Sequence, residues 1–119
     1  MNLTPDELKT IAAEASDFLK QLANKQRLMI LCHLLDGEMS VSQLQDRIRI
    51  EQSSISQHLA KLRKQGIITS RRNSRLKYYS INDEKVQQVI ELLHTMYCEP
   101  NIQKLTTVEN ADSVAQVSD

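Results

Sequence analysis

The chain has 119 residues, a length that suits one domain rather than two. Its 15 basic and 15 acidic residues give a formal net charge of zero, which argues against a uniformly basic nucleic-acid-binding domain. No apolar stretch approaches the roughly 20 residues of a membrane-spanning helix, and the polar, partly acidic N-terminus is not typical of a secretory signal. We therefore expect a cytoplasmic protein with no membrane partner, in which the two cysteines rest as thiols.

The first predicted helix begins at a strong start signal. Thr4 is a capping residue, Pro5 suits the first helical position, and Glu7 completes a capping box. Apolar residues then recur on one face until about Leu22.

Aromatic residues are scarce in this small chain. Because a small domain buries only a limited share of its surface, dimerisation is a natural way to bury more apolar surface.

Three shorter helices are predicted next. Asn24 caps a second helix over residues 25–35, and a third follows over residues 41–49, with Ser40 as its cap. After a tight turn, a fourth helix covers residues 52–65, and Gly66 ends it.

The periodicity changes from helical to strand-like after this fourth helix. Residues 67–71 and 76–81 are predicted as two strands, joined by a turn over residues 72–75. A last helix is predicted over residues 83–98, and Pro100 is expected to stop it.

The order of elements predicts a mainly α fold with a small β-hairpin, α-α-α-α-β-β-α. Two short helices joined by a tight turn and followed by a basic hairpin are typical of a winged helix-turn-helix. This domain is expected over residues 4–99, and the polar, aperiodic residues 100–119 are interpreted as a mobile C-terminal tail.

Basic residues are concentrated in the predicted motif. Residues 52–82 contain seven Lys or Arg and no Asp or Glu. Such a surface acts locally even on a neutral protein, because salt screens charges beyond roughly 10 Å. The simpler alternative is an ordinary solvated face. The residues expected to contact DNA phosphates are Lys61, Lys64, Arg71, Arg72, Arg75 and Lys77.

The fourth helix combines a docking face with a polar face, as a recognition helix requires. Ile55, Leu59 and Leu62 form an apolar stripe. Glutamine pairs bidentately with adenine, and serine bonds to several bases. His58 lies beside the stripe and is interpreted as a hydrogen-bonded, partly buried side chain rather than a base contact. The candidate base-contacting residues are Gln52, Ser53, Ser54, Ser56 and Gln57.

Two segments resemble the ArsR/SmtB family of bacterial repressors. They are residues 22–31, LANKQRLMIL, and residues 53–68, SSISQHLAKLRKQGII. The resemblance implies a homodimer built from the first and last helices, which binds double-stranded DNA at a palindromic operator and is released by an inducer. It also implies base contacts at the positions of Gln52, Ser53, Ser56 and Gln57.

The metal sites common in that family do not match this sequence. Residues 39–42, MSVS, contain no thiol where thiolate-site members carry cysteines. The positions matching the site on the last helix are Asp83, Lys85, Met96 and Glu99. A cation and a soft thioether do not suit that site, so we predict no metal and no cofactor.

Cys32 and Cys98 resemble the pair found in the HlyU/BigR-type branch, whose members are thiol sensors of reactive sulfur or peroxide. The resemblance implies that the two approach each other and that oxidation joins them by a disulfide or polysulfide bridge. His94, four residues before Cys98, would favour its thiolate if protonated. Residue chemistry alone leaves open two unrelated buried thiols.

The expected function is therefore a dimeric repressor switched by oxidation or persulfidation of Cys32 and Cys98. One alternative is a soft-metal regulator with Cys32 and Cys98 as ligands, alone or joined by His94 or His33. Another is an activator that displaces a second DNA-binding protein. A thiol enzyme using Cys98 and His94 is not expected, because the sequence has no oxyanion-hole or phosphate-loop motif.

Overall fold

The computed structural model describes residues 2–101, and it confirms a mainly helical fold with a two-stranded antiparallel hairpin. A π-helical turn, His94–Cys98, directly continues the last helix. Residues 102–119, most of the predicted mobile tail, lie outside the described part of the chain. The elements in chain order are α1 (Pro5–Leu22), α2 (Lys25–Leu34), α3 (Val41–Ile48), α4 (Gln52–Lys64), β1 (Ile68–Asn73), β2 (Leu76–Ile81) and α5 (Glu84–Leu93).

Helix α1 begins at the predicted capping box. The Thr4 hydroxyl accepts from the Glu7 backbone N–H at 3.1 Å, and the Glu7 carboxylate accepts from the Thr4 N–H at 2.9 Å. Leu22 is the one residue of this long helix that is buried. Leu8, Ile11 and Leu19, the last at 53% exposure, face solvent in the single chain, whereas Phe18 packs partly against the core.

The core lies among α2, α3, α4, β1 and α5. The predicted stripe of Ile55, Leu59 and Leu62 is at most 1% exposed and anchors α4 to the rest of the domain. Complete burial of such side chains contributes about 1.5–3 kcal/mol each relative to exposure. The other fully buried core side chains are Ile30, Leu31, Leu44, Ile68, Val86 and Ile90.

The turn between α3 and α4 depends on one left-handed residue. Arg49, the C-cap of α3, has a φ of 61° and donates its backbone N–H to the Gln45 carbonyl at 2.9 Å. A left-handed C-cap reverses the chain within few residues. This places the start of α4 directly beside α3, as a helix-turn-helix requires.

The hairpin of β1 and β2, hereafter the wing, has a tighter turn than predicted. We expected a four-residue turn over 72–75, but Asn73 pairs with Leu76, which leaves only Ser74 and Arg75 in the turn. Ser74 has a φ of 63°, and a positive φ at this position allows two residues to close a hairpin. The strand ladder therefore extends further toward the tip.

Pro100 does not end the last helix, contrary to expectation. Residues 99–101 keep helical backbone after the π turn. The side-chain amide of Asn101 also donates to the Tyr97 carbonyl at 2.6 Å. A proline in an α-helix clashes with the carbonyl four residues earlier. In the π turn, Glu99 N–H instead bonds five residues back to His94, and this wider turn leaves room for the proline ring.

Candidate DNA-binding surface and dithiol pocket

Helix α4 presents polar side chains opposite its buried stripe. Gln52, Ser53, Ser56 and Gln57 are exposed there, whereas Ser54 is half-buried. No side chain caps the start of this helix, so its first N–H groups remain open to an acceptor such as a phosphate oxygen. The cationic Lys61 and Lys64 lie in the last turn and are exposed.

A groove of about 300 Å³ lies where the wing meets the starts of α3 and α4. Its lining includes Gln52 from the helix and Arg72, Arg75 and Lys77 from the wing, with Ser42 beside them. These residues are separated by up to 35 positions in the sequence, and the fold brings them to one concave surface. Among the described residues this lining contains three cations and no carboxylate, which suits a polyanion.

Arg71, another predicted phosphate contact, has a partner within the chain. Its guanidinium binds the carboxylate of Glu38, with Nε 2.8 Å and 3.0 Å from the two oxygens. The guanidinium also lies 5.2 Å from the centre of the Tyr78 ring. The hydrogen bond from Arg71 lowers the pKa of Glu38, so the carboxylate is charged and neutralises this cation at neutral pH.

The wing is tied to the helices by a short β-bridge. Met39, just before α3, exchanges two backbone hydrogen bonds with Tyr79 of β2, at 3.0 Å and 2.8 Å. The orientation of the wing relative to the start of α3 is therefore held by the backbone. This explains how the wing cations reach the groove at the start of α4.

The two cysteines line one apolar cavity of about 410 Å³, hereafter the dithiol pocket. Cys32 comes from the middle of α2 and Cys98 from the end of the π turn, and both are free thiols and half-buried. Leu28, Leu93 and Tyr97 complete the lining. The structure thus places the two thiols together, although 66 positions separate them in the sequence.

The pocket disfavours the thiolate form of Cys32. Burial raises the pKa of its thiol, and the neighbouring Cys98 raises it further through charge repulsion and a hydrogen bond. The expected help from His94 is not seen, since the described contact of its ring is with Glu99, 3.7 Å from Nδ1 to the carboxylate. In the π turn, residues four apart do not stack on one face as they do in an α-helix.

Within residues 2–101, no group of three or more His, Cys, Asp or Glu side chains is arranged to hold a metal ion. The version of the soft-metal alternative in which His94 or His33 joins Cys32 and Cys98 therefore gains no support from the geometry. Within the same residues, no helix has both the length and the apolar character needed to cross a bilayer.

Comparison with known proteins places the fold and this surface in one family. Residues 24–70 match the family described as bacterial regulatory protein, arsR family. Over 101 residues the chain is 44% identical to the transcriptional activator HlyU of Vibrio cholerae, with 85% of this chain and 92% of that protein covered. The chain belongs to the ArsR family.

Further comparisons agree with this assignment. The biofilm growth-associated repressor of Xylella fastidiosa is 36% identical over 97 residues, which cover 82% of this chain and 85% of that one. The structure of reduced HlyU from Vibrio cholerae superposes with a TM-score of 0.74 at 43% identity, covering 78% of this ArsR-family chain and 98% of the other. This ArsR-family protein is therefore a winged helix-turn-helix DNA-binding transcriptional regulator and not an enzyme.

Sequence reasoning missed the partners that hold the site residues. Glu38 binds Arg71, and Gln26 and Arg27 bind His58, across separations of 31 to 33 positions. Neither motif nor periodicity indicates contacts at such separations. The contacts of the named side chains with bases and phosphates remain predictions.

Proposed function

We propose that this ArsR-family protein is a homodimeric, cytoplasmic repressor that leaves a palindromic operator when Cys32 and Cys98 are oxidised or persulfidated. One observation carries the proposal: two free thiols from distant parts of the chain line the same pocket. The pocket adjoins α2, which packs against α4, and it includes the end of the last helix. A bond between these thiols would therefore act on elements that position the DNA-binding surface.

Two exposed apolar faces support the homodimer. The N-terminal helix exposes Leu8, Ile11 and Leu19, and the end of the last helix exposes Met96 and Tyr97, the latter at 65%. Exposed apolar surface of this kind is costly in a lone chain and typical of an interface. A two-fold axis beside these faces would cover both copies at once and would present two α4 helices to one duplex.

The groove and the polar face of α4 define how each half of the dimer binds its half-site. Gln52, Ser53, Ser56 and Gln57 read base edges from exposed positions, and Ser54 contacts DNA from a half-buried position. The residues proposed to hold phosphates in the native chain are Lys61, Lys64, Arg72, Arg75 and Lys77. Arg71 is proposed to join them when its pairing with Glu38 is broken.

The oxidation has a simple stoichiometry with an organic persulfide as oxidant. One cysteine thiolate attacks the outer sulfur of R–S–SH, forms a cysteine persulfide and expels R–S⁻. The second thiolate attacks the inner sulfur of that persulfide, closes the disulfide and releases HS⁻. The two thiol protons go to solvent, and the transferred sulfur is reduced as the cysteines are oxidised. Repeated sulfur addition before closure gives a polysulfide bridge instead.

Bond formation changes the distance between α2 and the last helix. A disulfide requires its two sulfur atoms to lie about 2.05 Å apart with a restricted dihedral angle. Closing it draws the π turn, with Met96 and Tyr97, toward α2 and so shifts the proposed dimer surface. Two recognition helices fit successive major grooves only when they lie about 34 Å apart, so a small shift weakens operator binding.

The test is an operator-binding assay run beside intact-mass spectrometry. The probe is a duplex that the reduced wild type enriches from a random pool. We expect treatment with an organic persulfide to weaken binding by the wild type but not by Cys32→Ser or Cys98→Ser. Without treatment, each variant should bind the duplex as tightly as the reduced wild type does. The mass separates a disulfide, which lacks two hydrogens, from a bridge with added sulfur. Unchanged wild-type binding after complete oxidation would refute the switch.

A regulator of the activating type is the second candidate, because one relative is named a transcriptional activator and another a repressor. An activator of this kind would displace another DNA-binding protein from a shared site. Footprinting of promoter DNA, with and without RNA polymerase and the competing protein, distinguishes a repressor from an activator. A repressor blocks polymerase directly. An activator instead removes the footprint of the competing protein.

A further inference from the structure

A polar cluster joins the recognition helix to the two helices that precede the motif. His58 of α4 is half-buried, and its Nδ1 lies 3.3 Å from Arg27 Nε of α2. Its other ring nitrogen, Nε2, lies 2.8 Å from Gln26 Oε1. An arginine N–H only donates, so Nδ1 must accept, and Nε2 must then carry the hydrogen that the Gln26 oxygen accepts. The contacts therefore fit a single form of the ring, the neutral Nε2–H tautomer.

The same cluster extends to the end of α1. Arg27 Nη1 donates to the backbone carbonyl of Gln21 at 3.0 Å. Carbonyls in the last turn of a helix have no partner within the helix, so this contact satisfies an otherwise open acceptor. The side chains of Gln65, the C-cap of α4, and Gln21 are also hydrogen-bonded to each other. One guanidinium thus links α1 and α4 through α2.

We propose that His58 is a positioning residue whose neutral ring holds the recognition helix in place against α1 and α2, and that protonation of this ring weakens DNA binding. The inference rests on the DNA-binding role of α4. The side chain acts through Gln26 and Arg27 on the orientation of the helix, not through contact with a base.

The surroundings of the ring oppose its charged form. Burial lowers the pKa of His58 below its ordinary value of 6.5, and the positive charges of Arg27 and Lys61 lower it further. These charged groups face it from α2 and from α4, whereas α1 contributes the uncharged Gln21 to the cluster. Protonation would turn Nδ1 into a donor aimed at the donor Arg27 Nε–H, so the ring would lose that contact and repel the guanidinium.

The sign of the pH effect follows from this lowered pKa. Because the folded chain holds the proton less tightly than the unfolded chain, the stabilising contribution of the neutral ring is present above about pH 6.5. It is lost as the pH falls through the lowered pKa of the folded state. DNA binding should weaken over the same interval, beyond any general effect of pH.

Three variants separate this role from a general structural one. His58→Gln keeps an amide oxygen for Arg27 and an amide N–H for Gln26, but it does not titrate. His58→Leu removes both hydrogen bonds. His33→Gln is the matched control, because burial also lowers the pKa of His33, yet its charged neighbours are Arg47 and Asp36.

The measurement is the affinity of reduced protein for the selected duplex between pH 8 and pH 5, together with ¹⁵N shifts of the histidine rings. Wild type and His33→Gln should lose about fivefold more affinity on acidification than His58→Gln, a loss comparable to one or two hydrogen bonds. His58→Leu should bind weakly at every pH, and the ring shifts at pH 8 should show the Nε2–H tautomer.

Either of two results would overturn the proposal. One is a His58→Gln pH profile identical to that of the wild type, which decides the matter even if His58→Leu fails to fold. The other is a His58 ring that is charged or protonated at Nδ1 at pH 8. Absence of any duplex binding by the wild type at pH 8 would instead refute the DNA-binding surface itself, a distinguishable outcome.

Discussion

Glu38 binds Arg71 across the space between the loop that precedes α3 and the wing. The pair removes one cation from a surface that otherwise offers its positive charge to DNA. We predict that Glu38→Gln frees Arg71 to contact one more DNA phosphate. A plot of the logarithm of the binding constant against the logarithm of salt concentration should then have a slope that is steeper by about 0.9.

The measurement is a salt titration of duplex affinity by fluorescence anisotropy. The double variant Glu38→Gln with Arg71→Ala is the control and should return the slope to that of the wild type. A Glu38→Gln slope equal to that of the wild type would mean that Arg71 does not reach the DNA backbone even when it is free.

The wing cations and the α4 amides should differ in what they contribute to binding. Arg72→Ala should weaken binding to all sequences alike and reduce the salt slope by about 0.9, because a phosphate contact carries no sequence information. Gln57→Ala should leave the slope unchanged and relax the preference at one base pair, with about 1–3 kcal/mol of discrimination lost.

Competition binding with a set of single-base-pair duplex variants measures both effects. Lys9→Ala, an exposed cation on α1, is the matched control and should change neither quantity. A loss of base preference in Arg72→Ala, with Gln57→Ala unaffected, would reverse the proposed division of roles.

The positive φ of Ser74 makes the wing turn a site for stabilisation. A left-handed conformation costs a residue with a Cβ about 1 kcal/mol relative to glycine. Ser74→Gly should therefore raise the free energy of unfolding by up to about 1 kcal/mol in urea titrations. Ser70→Gly, within β1 opposite Tyr79, is the control and should lower it by about 0.5–1 kcal/mol. Equal effects at the two positions would argue against a strained turn.

The raised pKa of Cys32 predicts a slow but strongly pH-dependent thiol. Only the thiolate reacts, so the alkylation rate at Cys32 should rise about tenfold per pH unit from pH 6 to beyond pH 8. In urea the thiolate fraction at each of these pH values should be higher, because burial and Cys98 then no longer raise the pKa. Peptide-level mass spectrometry after brief iodoacetamide exposure measures this rate.

The same shift has a consequence for stability. The pKa of Cys32 is higher in the folded chain than in the unfolded chain. The protonated thiol therefore stabilises the fold at pH values below the unfolded-state pKa, and this stabilisation is lost as the pH rises through the folded-state pKa. Cys32→Ala, which cannot titrate, should lack this loss at alkaline pH.

The alkylation experiment has its own contradicting outcome. An alkylation rate at Cys32 that levels off below pH 8 would show that the thiol is activated rather than suppressed.

The amino-acid sequence by itself determined the elements and their order. The capping box at Thr4 and Glu7, the cap at Asn24 and the stripe on α4 are confirmed because each depends on residues within one or two turns. Two local predictions were wrong. The last helix does not stop at Pro100, because a π turn widens it, and the wing turn has two residues, Ser74 and Arg75, instead of four. A π turn is rare, and a serine seldom adopts a positive φ, so neither is indicated by the residue types at these positions.

Only the tertiary structure decided which side chains meet. The sequence placed Cys32, Arg71 and His58 on their elements, and family resemblance alone implied the approach of Cys32 to Cys98. The contacts with Cys98, Glu38 and Arg27 arise when burial of the apolar stripes sets the relative positions of the helices. Contacts across 30 or more positions leave no periodic trace in the sequence, since the packing of the whole core, and no local spacing, specifies them.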